Sequence, residues 1–243
     1  MDDHQLAARA AGTAGQLLLR LRARGASRDE GDQSSNELIL AMLREERPDD
    51  AILSEESKDD LVRLERERVW IVDPLDGTRE FGEEGRTDWA VHVALVVNGT
   101  PTACAVALPA QDNIVLSTAT PPHLPPRRDG KIRLLVSRTR PPALASHLAG
   151  VLDAELVPYG SAGAKAMAVV QGLADVYAHS GGQYEWDSAA PVGVARAAGC
   201  HCSRLDGAPL VYNQPDSYLP DLLVSRPELA EAVIAAVANA PDH

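Results

Sequence analysis

The sequence predicts an α/β protein with an α+β amino-terminal half and an α/β carboxyl-terminal half. Three apolar runs of strand length predict an antiparallel meander: 91–97, 102–108 and 113–118. Asn98-Gly99 is a strong hairpin signal between the first two runs. After a proline-rich break at 121–130, strand-like and helix-like segments alternate, which is typical of a sheet covered by helices. We therefore predict halves of 1–120 and 131–243 joined by that linker.

The amino-terminal half opens with two predicted helices. Residues 4–24 place apolar side chains on one face at helical spacing. After a polar segment, 25–31, a second helix is predicted to begin at Asp32, whose carboxylate suits an N-cap, and to end at Pro48. The remaining predicted elements are a strand over 51–53, a charged helical stretch over 58–68 and a strand over 69–73.

The elements of the carboxyl-terminal half follow from the alternation itself. Strands are predicted over 132–136, 154–158, 174–178, 201–204 and 221–224. Helices are predicted over 141–151, 163–171, 187–198 and 226–239. Pro191 lacks an amide hydrogen and is tolerated in the first turn of a helix, so this helix is expected to begin near Asp187. The carboxylate of Asp187 then lies at the positive end of the helix dipole.

Composition and charge exclude several classes of function. No stretch approaches the roughly 20 apolar residues of a membrane-spanning helix, and the acidic start at Met1-Asp2-Asp3-His4 lacks a signal-peptide pattern. Three cysteines are too few for a disulfide scaffold, so we expect a cytoplasmic location. The net charge of −12 argues against nucleic-acid polymers and anionic membranes as partners.

The segment 70–78 carries the strongest functional signal. An apolar strand ends at Asp73, turns through a proline, and is followed by Asp76, Gly77 and Thr78. Carboxylates and a free carbonyl are oxygen ligands that suit Mg²⁺, and amides after a glycine can face an anion. Either acidic dipeptide alone would be explained as a turn, because Asp-Pro and Asp-Gly are common turn sequences.

Two distant segments complete this pattern. Upstream, the strand at 51–53 is followed by the paired acids Glu55 and Glu56. Downstream, Trp186-Asp187 opens the helix that contains Pro191. Paired acids at the end of a strand are also compatible with a solvated surface, so spacing alone does not decide which of the two has a functional role.

Taken in order, the three segments resemble the metal-dependent, lithium-sensitive inositol monophosphatase superfamily. Its pattern is acid-acid, then Asp-Pro-hydrophobic-Asp-Gly-Thr, then Trp-Asp before a helix of small residues, and the resemblance covers nearly the whole chain. It implies a layered αβαβα sandwich of the inositol monophosphatase and fructose-1,6-bisphosphatase type. It also implies an active site between the two halves and a possible homodimer.

The resemblance implies a metal site that holds two or three Mg²⁺ ions. Its ligands would be Glu55, Asp73, Leu75, Asp76 and Asp187. Asp73 would bridge two ions, and Leu75 would contribute its backbone carbonyl. Bound cations reverse the sign of an acidic site, so a negatively charged protein can still accept a phosphate substrate.

The resemblance also implies how the attacking water is activated. The catalytic residues would be Thr78, Asp32 and Glu55. The Thr78 hydroxyl would help to activate the water, and Asp32 would orient that hydroxyl. From the residues alone, Thr78 is equally explained as a helix cap and Asp32 as an ordinary N-cap.

Within the superfamily, the chain resembles most the bacterial branch that acts on 3'-phosphoadenosine 5'-phosphate. The matching residues are Arg79-Glu80-Phe81, Ser137-Arg138 and Lys165. The expected reaction removes the 3'-phosphate and yields AMP, which would clear a by-product of sulfate assimilation. The expected substrate contacts are Leu75, Asp76, Gly77, Thr78, Arg79, Ser137, Arg138, Lys165 and Asp187. For Lys165, a solvated surface lysine is the competing explanation.

Three alternatives remain open at this level. The enzyme could hydrolyse inositol-1-phosphate or fructose-1,6-bisphosphate, alone or in addition. A protein that binds a phosphate ligand as a sensor without catalysis belongs to another class, which the loss of a metal acid would favour. A kinase or nucleotide-binding module is disfavoured, because no glycine-rich phosphate loop is present.

Overall fold

The computed structural model describes residues 1–59, 61–139 and 143–240. Seven α-helices lie in these ranges: Asp3–Ala23 (α1), Arg28–Glu46 (α2), Thr78–Gly82 (α3), Ala143–Val151 (α4), Ala162–Val170 (α5), Glu185–Ala197 (α6) and Ala230–Ala238 (α7). Ten strands accompany them: Ala51–Ser54 (β1), Arg68–Asp76 (β2), Ala90–Val97 (β3), Thr100–Leu108 (β4), Ile114–Ser117 (β5), Ile132–Ser137 (β6), Ala154–Tyr159 (β7), Val176–Tyr184 (β8), His201–Ser203 (β9) and Tyr218–Ser225 (β10).

The first sheet is built from the amino-terminal half in the order β1-β2-β3-β4-β5. β1 runs parallel to β2, and the remaining neighbours are antiparallel. The predicted meander is therefore confirmed. Asn98 and Gly99, with φ of 48° and 77°, form the turn between β3 and β4. Both left-handed values match a tight hairpin turn.

The second sheet has the order β7-β6-β8-β10-β9. β6 runs parallel to both β7 and β8, whereas β10 is antiparallel to β8 and β9. The two parallel pairs are joined through α4 and α5, as parallel strands require a crossover connection. This sheet matches the alternation of helices and strands predicted for the carboxyl-terminal half.

Three apolar clusters stack these elements into five layers. α1 and α2 pack on one face of the first sheet through Leu6, Leu18, Ile39 and Trp70, among others. α5 and α6 fill the space between the two sheets. α4 and α7 cover the outer face of the second sheet. The layered αβαβα sandwich is confirmed, while the division into two domains at 121–130 stays a prediction.

The predicted start of the second helix is wrong. α2 begins at Arg28, and Ser27 is its N-cap, with the Ser27 hydroxyl accepting a hydrogen bond of 3.1 Å from the Glu30 amide. Asp32 therefore lies inside the helix rather than at its start. The serine three residues before Glu30, with acids in the first turn, was the relevant capping signal.

Further boundaries differ from the prediction: the strand predicted over 174–178 runs from Val176 to Tyr184, and the helix predicted over 226–239 begins as a 3₁₀ helix, Pro227–Leu229, before α7. The charged stretch 58–68 contains only a 3₁₀ helix, Val62–Glu65, although residue 60 lies outside the described residues. α6 begins at Glu185, so Pro191 lies in its second turn rather than its first. The helix tolerates this proline because α6 is buried between the sheets, where packing outweighs one missing backbone hydrogen bond. For the helix predicted over 141–151, residues 141 and 142 lie outside the described part.

Candidate active site

The end of β2 presents two buried carboxylates toward the centre of the molecule. Asp73 pairs with His92 on β3 and Asp76 pairs with Ala90, and the register shifts between these pairs. This irregularity re-aims the strand at its end, as bulges often do beside functional sites. Asp73 is 1% exposed to solvent and Asp76 is 7% exposed. The Leu75 amide donates a 3.0 Å hydrogen bond to Oδ1 of Asp73.

Asp76 is held by the amino terminus of α5. The Ala162 amide donates to Oδ1 at 3.2 Å, and the Gly163 amide donates to Oδ2 at 2.6 Å. Nε2 of His92 lies 3.1 Å from Oδ2. Although burial opposes ionisation, the charge of His92 lowers the pKa of Asp76 below its ordinary value. Asp76 is therefore a fixed, ionised carboxylate that joins β2 to the second half of the chain.

His92 is a site residue that the sequence analysis missed. Its side chain is fully buried, with Nδ1 3.0 Å from the Trp186 carbonyl and 3.8 Å from Oδ2 of Asp73. Because both ring nitrogens face acceptors, the charged imidazolium is favoured, and Asp76 raises the pKa of His92 despite its burial. The available signal is a lone histidine inside an apolar strand, and a histidine of the packed core gives the same pattern.

Glu55 and Asp187 approach the same centre from two other elements. Glu55 directly follows β1, which is parallel to β2, so the two strands end at the same edge of the sheet. Although Glu55 is exposed to solvent at this edge, partial burial of its carboxyl and the charge of Asp32 raise its pKa to about 8. Asp187 is the third residue of α6 and accepts a 2.7 Å hydrogen bond from the Tyr184 amide. Burial and the charge of Asp76 raise the pKa of Asp187 to about 6.

The chemistry of this cluster fits a divalent cation. Burial and the charges of Asp76 and Glu55 raise the pKa of Asp73 well above its usual range. Repelling carboxylates that share one buried site are stabilised when a cation neutralises them. The carboxylate oxygens of Asp73 and Asp76 lie within 4.8 Å of each other and of a ring nitrogen of His92. The two carboxylates are candidate metal ligands, whereas protonated His92 has no free lone pair for a cation and holds the carboxylates in place. Asp73 and Asp76 are both predicted ligands, and Glu55 and Asp187 interact electrostatically with Asp73.

Thr78 and Asp32 lie side by side, although neither caps a helix. Oγ1 of Thr78 is 3.4 Å from Oδ2 of Asp32 and 3.3 Å from the Leu75 carbonyl. Gly77 is the N-cap of α3, so the alternative of Thr78 as a cap is wrong. Asp32 is 7% exposed, and its Oδ1 has no hydrogen-bond partner among the described residues. Burial and the charge of Glu56 raise the pKa of Asp32 to about 7.

Position 77 requires a glycine for two reasons, its backbone conformation and the lack of space for a side chain. Its φ of 88° is the left-handed conformation that favours glycine. An added Cβ would lie 2.8 Å from Cβ of Ser161, the residue that caps α5. The turn that follows β2 at Gly77, which we call the metal-site turn, therefore contacts the turn before α5 at Ser161, and the space between them is too small for a side chain.

A groove of about 590 Å³ opens beside this turn. It contains four predicted substrate residues: Gly77, Arg79, Ser137 and Arg138. The Arg138 guanidinium donates hydrogen bonds to Glu80 at 2.9 Å and to Glu83 at 3.0 Å. Arg79 is exposed. The groove is thus continuous with the metal-site turn and carries two cationic side chains.

Lys165 is buried, so the alternative of a solvated surface lysine is wrong. Lys165 is 5% exposed, and its Nζ donates to the carbonyls of Gly160 and Ser161, the latter at 2.9 Å. Nζ also lies 5.1 Å from the centre of the Tyr177 ring, within cation–π range. Burial lowers the pKa of this ammonium. Lys165 holds the turn that precedes α5, and a contact with substrate stays a prediction.

Comparison with known proteins agrees with this geometry. The model of the Inositol monophosphatase family matches residues 7–242. The solved structure of an inositol monophosphatase from Anabaena shares the fold with a TM-score of 0.78, at 22% identity over 98% of this chain and 96% of that one. The chain thus has the fold and the acidic site of a metal-dependent phosphatase, and it belongs to the inositol monophosphatase family.

Relatives of higher sequence identity are named as phosphatases of nucleotide bisphosphates or as CysQ. A 3'-phosphoadenosine 5'-phosphate phosphatase of Mycobacterium tuberculosis is 54% identical over 240 residues, which cover 93% of this chain and 90% of that protein. A 3'(2'),5'-bisphosphate nucleotidase, CysQ, of Escherichia coli is 33% identical over 77% of this chain and 80% of its own length. The crystal structure of CysQ from Bacteroides thetaiotaomicron has a TM-score of 0.76 at 28% identity, over 92% of this chain and 96% of that one.

No helix within the described residues is long and apolar enough to cross a membrane.

Proposed function

We propose that this protein removes the 3'-phosphate of 3'-phosphoadenosine 5'-phosphate and releases AMP and phosphate. The observation that carries the proposal is a groove with two arginines that opens directly beside a buried carboxylate cluster. Such a layout suits a substrate with one phosphate at the metals and a second phosphate farther away. The names of the mycobacterial and enterobacterial relatives support the same substrate.

Mg²⁺ is the cation we propose for the cluster, with two or three ions per site. The ligands would be the carboxylates of Glu55, Asp73, Asp76 and Asp187 and the carbonyl of Leu75. Bound Mg²⁺ would supply the positive charge that offsets the phosphate and the acidity of the attacking water. A hard oxygen donor set of carboxylates and a carbonyl supports Mg²⁺ over softer metals.

We propose that Thr78 orients the attacking water and that Asp32 accepts its proton. The Thr78 hydroxyl would donate to Oδ2 of Asp32 and accept a hydrogen bond from the water at its own oxygen. A carboxylate whose pKa is about 7 can take up a proton near neutral pH, and Oδ1 of Asp32 is available for it. Glu55, with its pKa raised to about 8, is a second candidate acceptor for the proton.

The phosphates would be recognised by the turn and the groove. The amides of Gly77 and Thr78 would hold oxygens of the reacting phosphate. Arg79 and Arg138 would bind the distant 5'-phosphate. Binding would require Arg138 to exchange its carboxylate partners, Glu80 and Glu83, for a phosphate of higher charge.

The test is phosphate release by purified protein with saturating Mg²⁺. The substrates would be 3'-phosphoadenosine 5'-phosphate, inositol-1-phosphate and fructose-1,6-bisphosphate at matched concentrations. The proposal expects the largest kcat/KM for the nucleotide. A larger value for inositol-1-phosphate or the sugar bisphosphate would overturn the substrate assignment. Tight binding of the nucleotide with no phosphate release would point to a phosphate sensor.

A cytoplasmic location and a homodimer belong to this proposal as well. Cys104, Cys200 and Cys202 are free thiols, which is compatible with a reducing compartment. Sedimentation analysis at micromolar protein, with and without Mg²⁺, would decide the oligomeric state.

A further inference from the structure

Three aromatic side chains cluster beside the active site, and we call them the aromatic wall: Tyr184, Trp186 and Tyr218. The rings of Tyr184 and Trp186 are stacked, with centroids 4.8 Å apart and planes 9° apart. The Tyr218 ring meets Tyr184 edge to face, at 6.0 Å and 82°. The two arrangements are those that aromatic pairs prefer. The wall is therefore a built feature and not a chance approach of long side chains.

The wall is open to solvent. Tyr184 is 46% exposed and Tyr218 is 47% exposed. Aromatic residues make up only 4% of this chain, so three of them in one partly open cluster stand out. Exposed aromatic rings grouped in this way are typical of surfaces that contact a ligand.

The wall is continuous with the groove on one side. Gly182 lines the groove, and a Cβ added to it would lie 2.5 Å from the Tyr218 hydroxyl oxygen, so the Tyr218 ring packs directly on this glycine. Gly181 and Gly182 both have positive φ, 127° and 89°, which bends β8 at the groove. The Tyr218 ring thus lies next to the groove, against one of the residues that line it.

The wall is tied to the metal-site cluster on the other side. The Tyr184 amide donates a hydrogen bond to Asp187, and Trp186 is the residue before Asp187. The Trp186 carbonyl also accepts from Nδ1 of the buried His92. The backbone of Tyr184 and Trp186 therefore lies directly beside the carboxylate cluster.

We propose that the aromatic wall is the nucleobase subsite, with the adenine ring stacked on the exposed tyrosine surface. This inference rests on the proposed function and names the part of the substrate that neither the metals nor the arginines would contact. A planar base matches flat, partly exposed rings, and stacking recognises its face without any buried hydrogen-bond donor. The wall would then favour a nucleotide over sugar and inositol phosphates.

The test compares kcat/KM for 3'-phosphoadenosine 5'-phosphate with that for fructose-1,6-bisphosphate, which has two phosphates but no base. Tyr184→Ala is expected to lower the nucleotide-to-sugar ratio about 10-fold, within the range that stacking on an aromatic side chain contributes to a base. Tyr184→Phe keeps the ring and is expected to restore most of the ratio. Leu156→Ala, at an exposed apolar residue of β7, is the matched control.

Calorimetric titration with 5'-AMP and with ribose 5-phosphate separates this inference from the proposed function. If the wild-type protein binds 5'-AMP more tightly and Tyr184→Ala removes the difference, the wall binds the base even where the hydrolysed substrate proves to be another. If the wild-type protein hydrolyses the nucleotide but Tyr184→Ala leaves the ratio unchanged, the subsite is refuted and the proposed function stands. Dissociation of a dimer by Tyr184→Ala, with an unchanged ratio, would assign the wall to a subunit interface instead.

Discussion

Gly163 offers a sharp test of how Asp76 is positioned. Gly163 is the second residue of α5, and its amide donates the 2.6 Å hydrogen bond to Asp76. A Cβ added there would lie 3.0 Å from Oδ2 of Asp76, 2.7 Å from Cε1 of His92 and closer still to Nε2. Gly163→Ala therefore forces the imidazole away from the carboxylate, because a Cβ essentially never lies within 3.0 Å of a heavy atom to which it is not bonded.

The expected magnitudes follow from that overlap. Overpacking a buried site costs about 1–3 kcal/mol, from which alanine's higher helix propensity recovers about 1 kcal/mol. The net loss is at most about 2 kcal/mol, which would lower Tm by no more than roughly 4–8 °C in a chain of this size. A displacement of the metal-site carboxylate on the order of 1 Å would lower kcat about 10²-fold.

The assay is phosphate release with titrated Mg²⁺, together with thermal unfolding followed by circular dichroism. Gly150→Ala is the control, since Gly150 lies in α4 with no atom within 4 Å of an added Cβ. It should raise stability slightly and leave turnover as in the wild type. If Gly163→Ala kept wild-type turnover and Mg²⁺ affinity, the α5 amides and His92 would not be what positions Asp76.

Three further outcomes are expected. Asp73→Asn should lower kcat at least about 10³-fold at saturating Mg²⁺, because electrostatic stabilisation at the metal site is lost. The variant should unfold at the same temperature as the wild type or a higher one, because one carboxylate of the buried, mutually repelling cluster is gone. Lys165→Met should lower the unfolding free energy by about 1–3 kcal/mol, because two backbone carbonyls lose their donor, and should reduce kcat/KM by the same factor for the nucleotide and for inositol-1-phosphate. A loss of kcat/KM for the nucleotide alone would instead assign Nζ of Lys165 to the second phosphate. Without metal, the pKa values of Glu55, Asp32 and Asp187 lie above those of the unfolded chain, so the stability that these groups contribute is fully present below about pH 4 and is lost progressively as the pH rises to about 8. Tm without Mg²⁺ should therefore fall between about pH 5 and pH 8, and the Tm gain from added Mg²⁺ should grow over that range.

The sequence by itself determined the fold class and the elements that build it. The meander, the hairpin at Asn98-Gly99 and the alternating second half all depend on local periodicity and turn chemistry, which a single chain displays directly. The start of a helix was predicted less accurately where two residues could each act as its N-cap. Ser27 and Asp32 are both acceptable N-caps, and only the packing of α2 decided between them.

For the candidate site, the sequence determined which short segments carry the acids, because these segments form local motifs. It did not identify His92, whose role depends on a strand pairing and on the position of α6. It also left open whether Lys165 is a solvated surface lysine, and the structure shows its ammonium buried against the turn before α5, while a contact with substrate stays a prediction. The tertiary structure decided these points because a charged side chain in the interior is defined by partners distant in the sequence, and no local pattern records which partners those are.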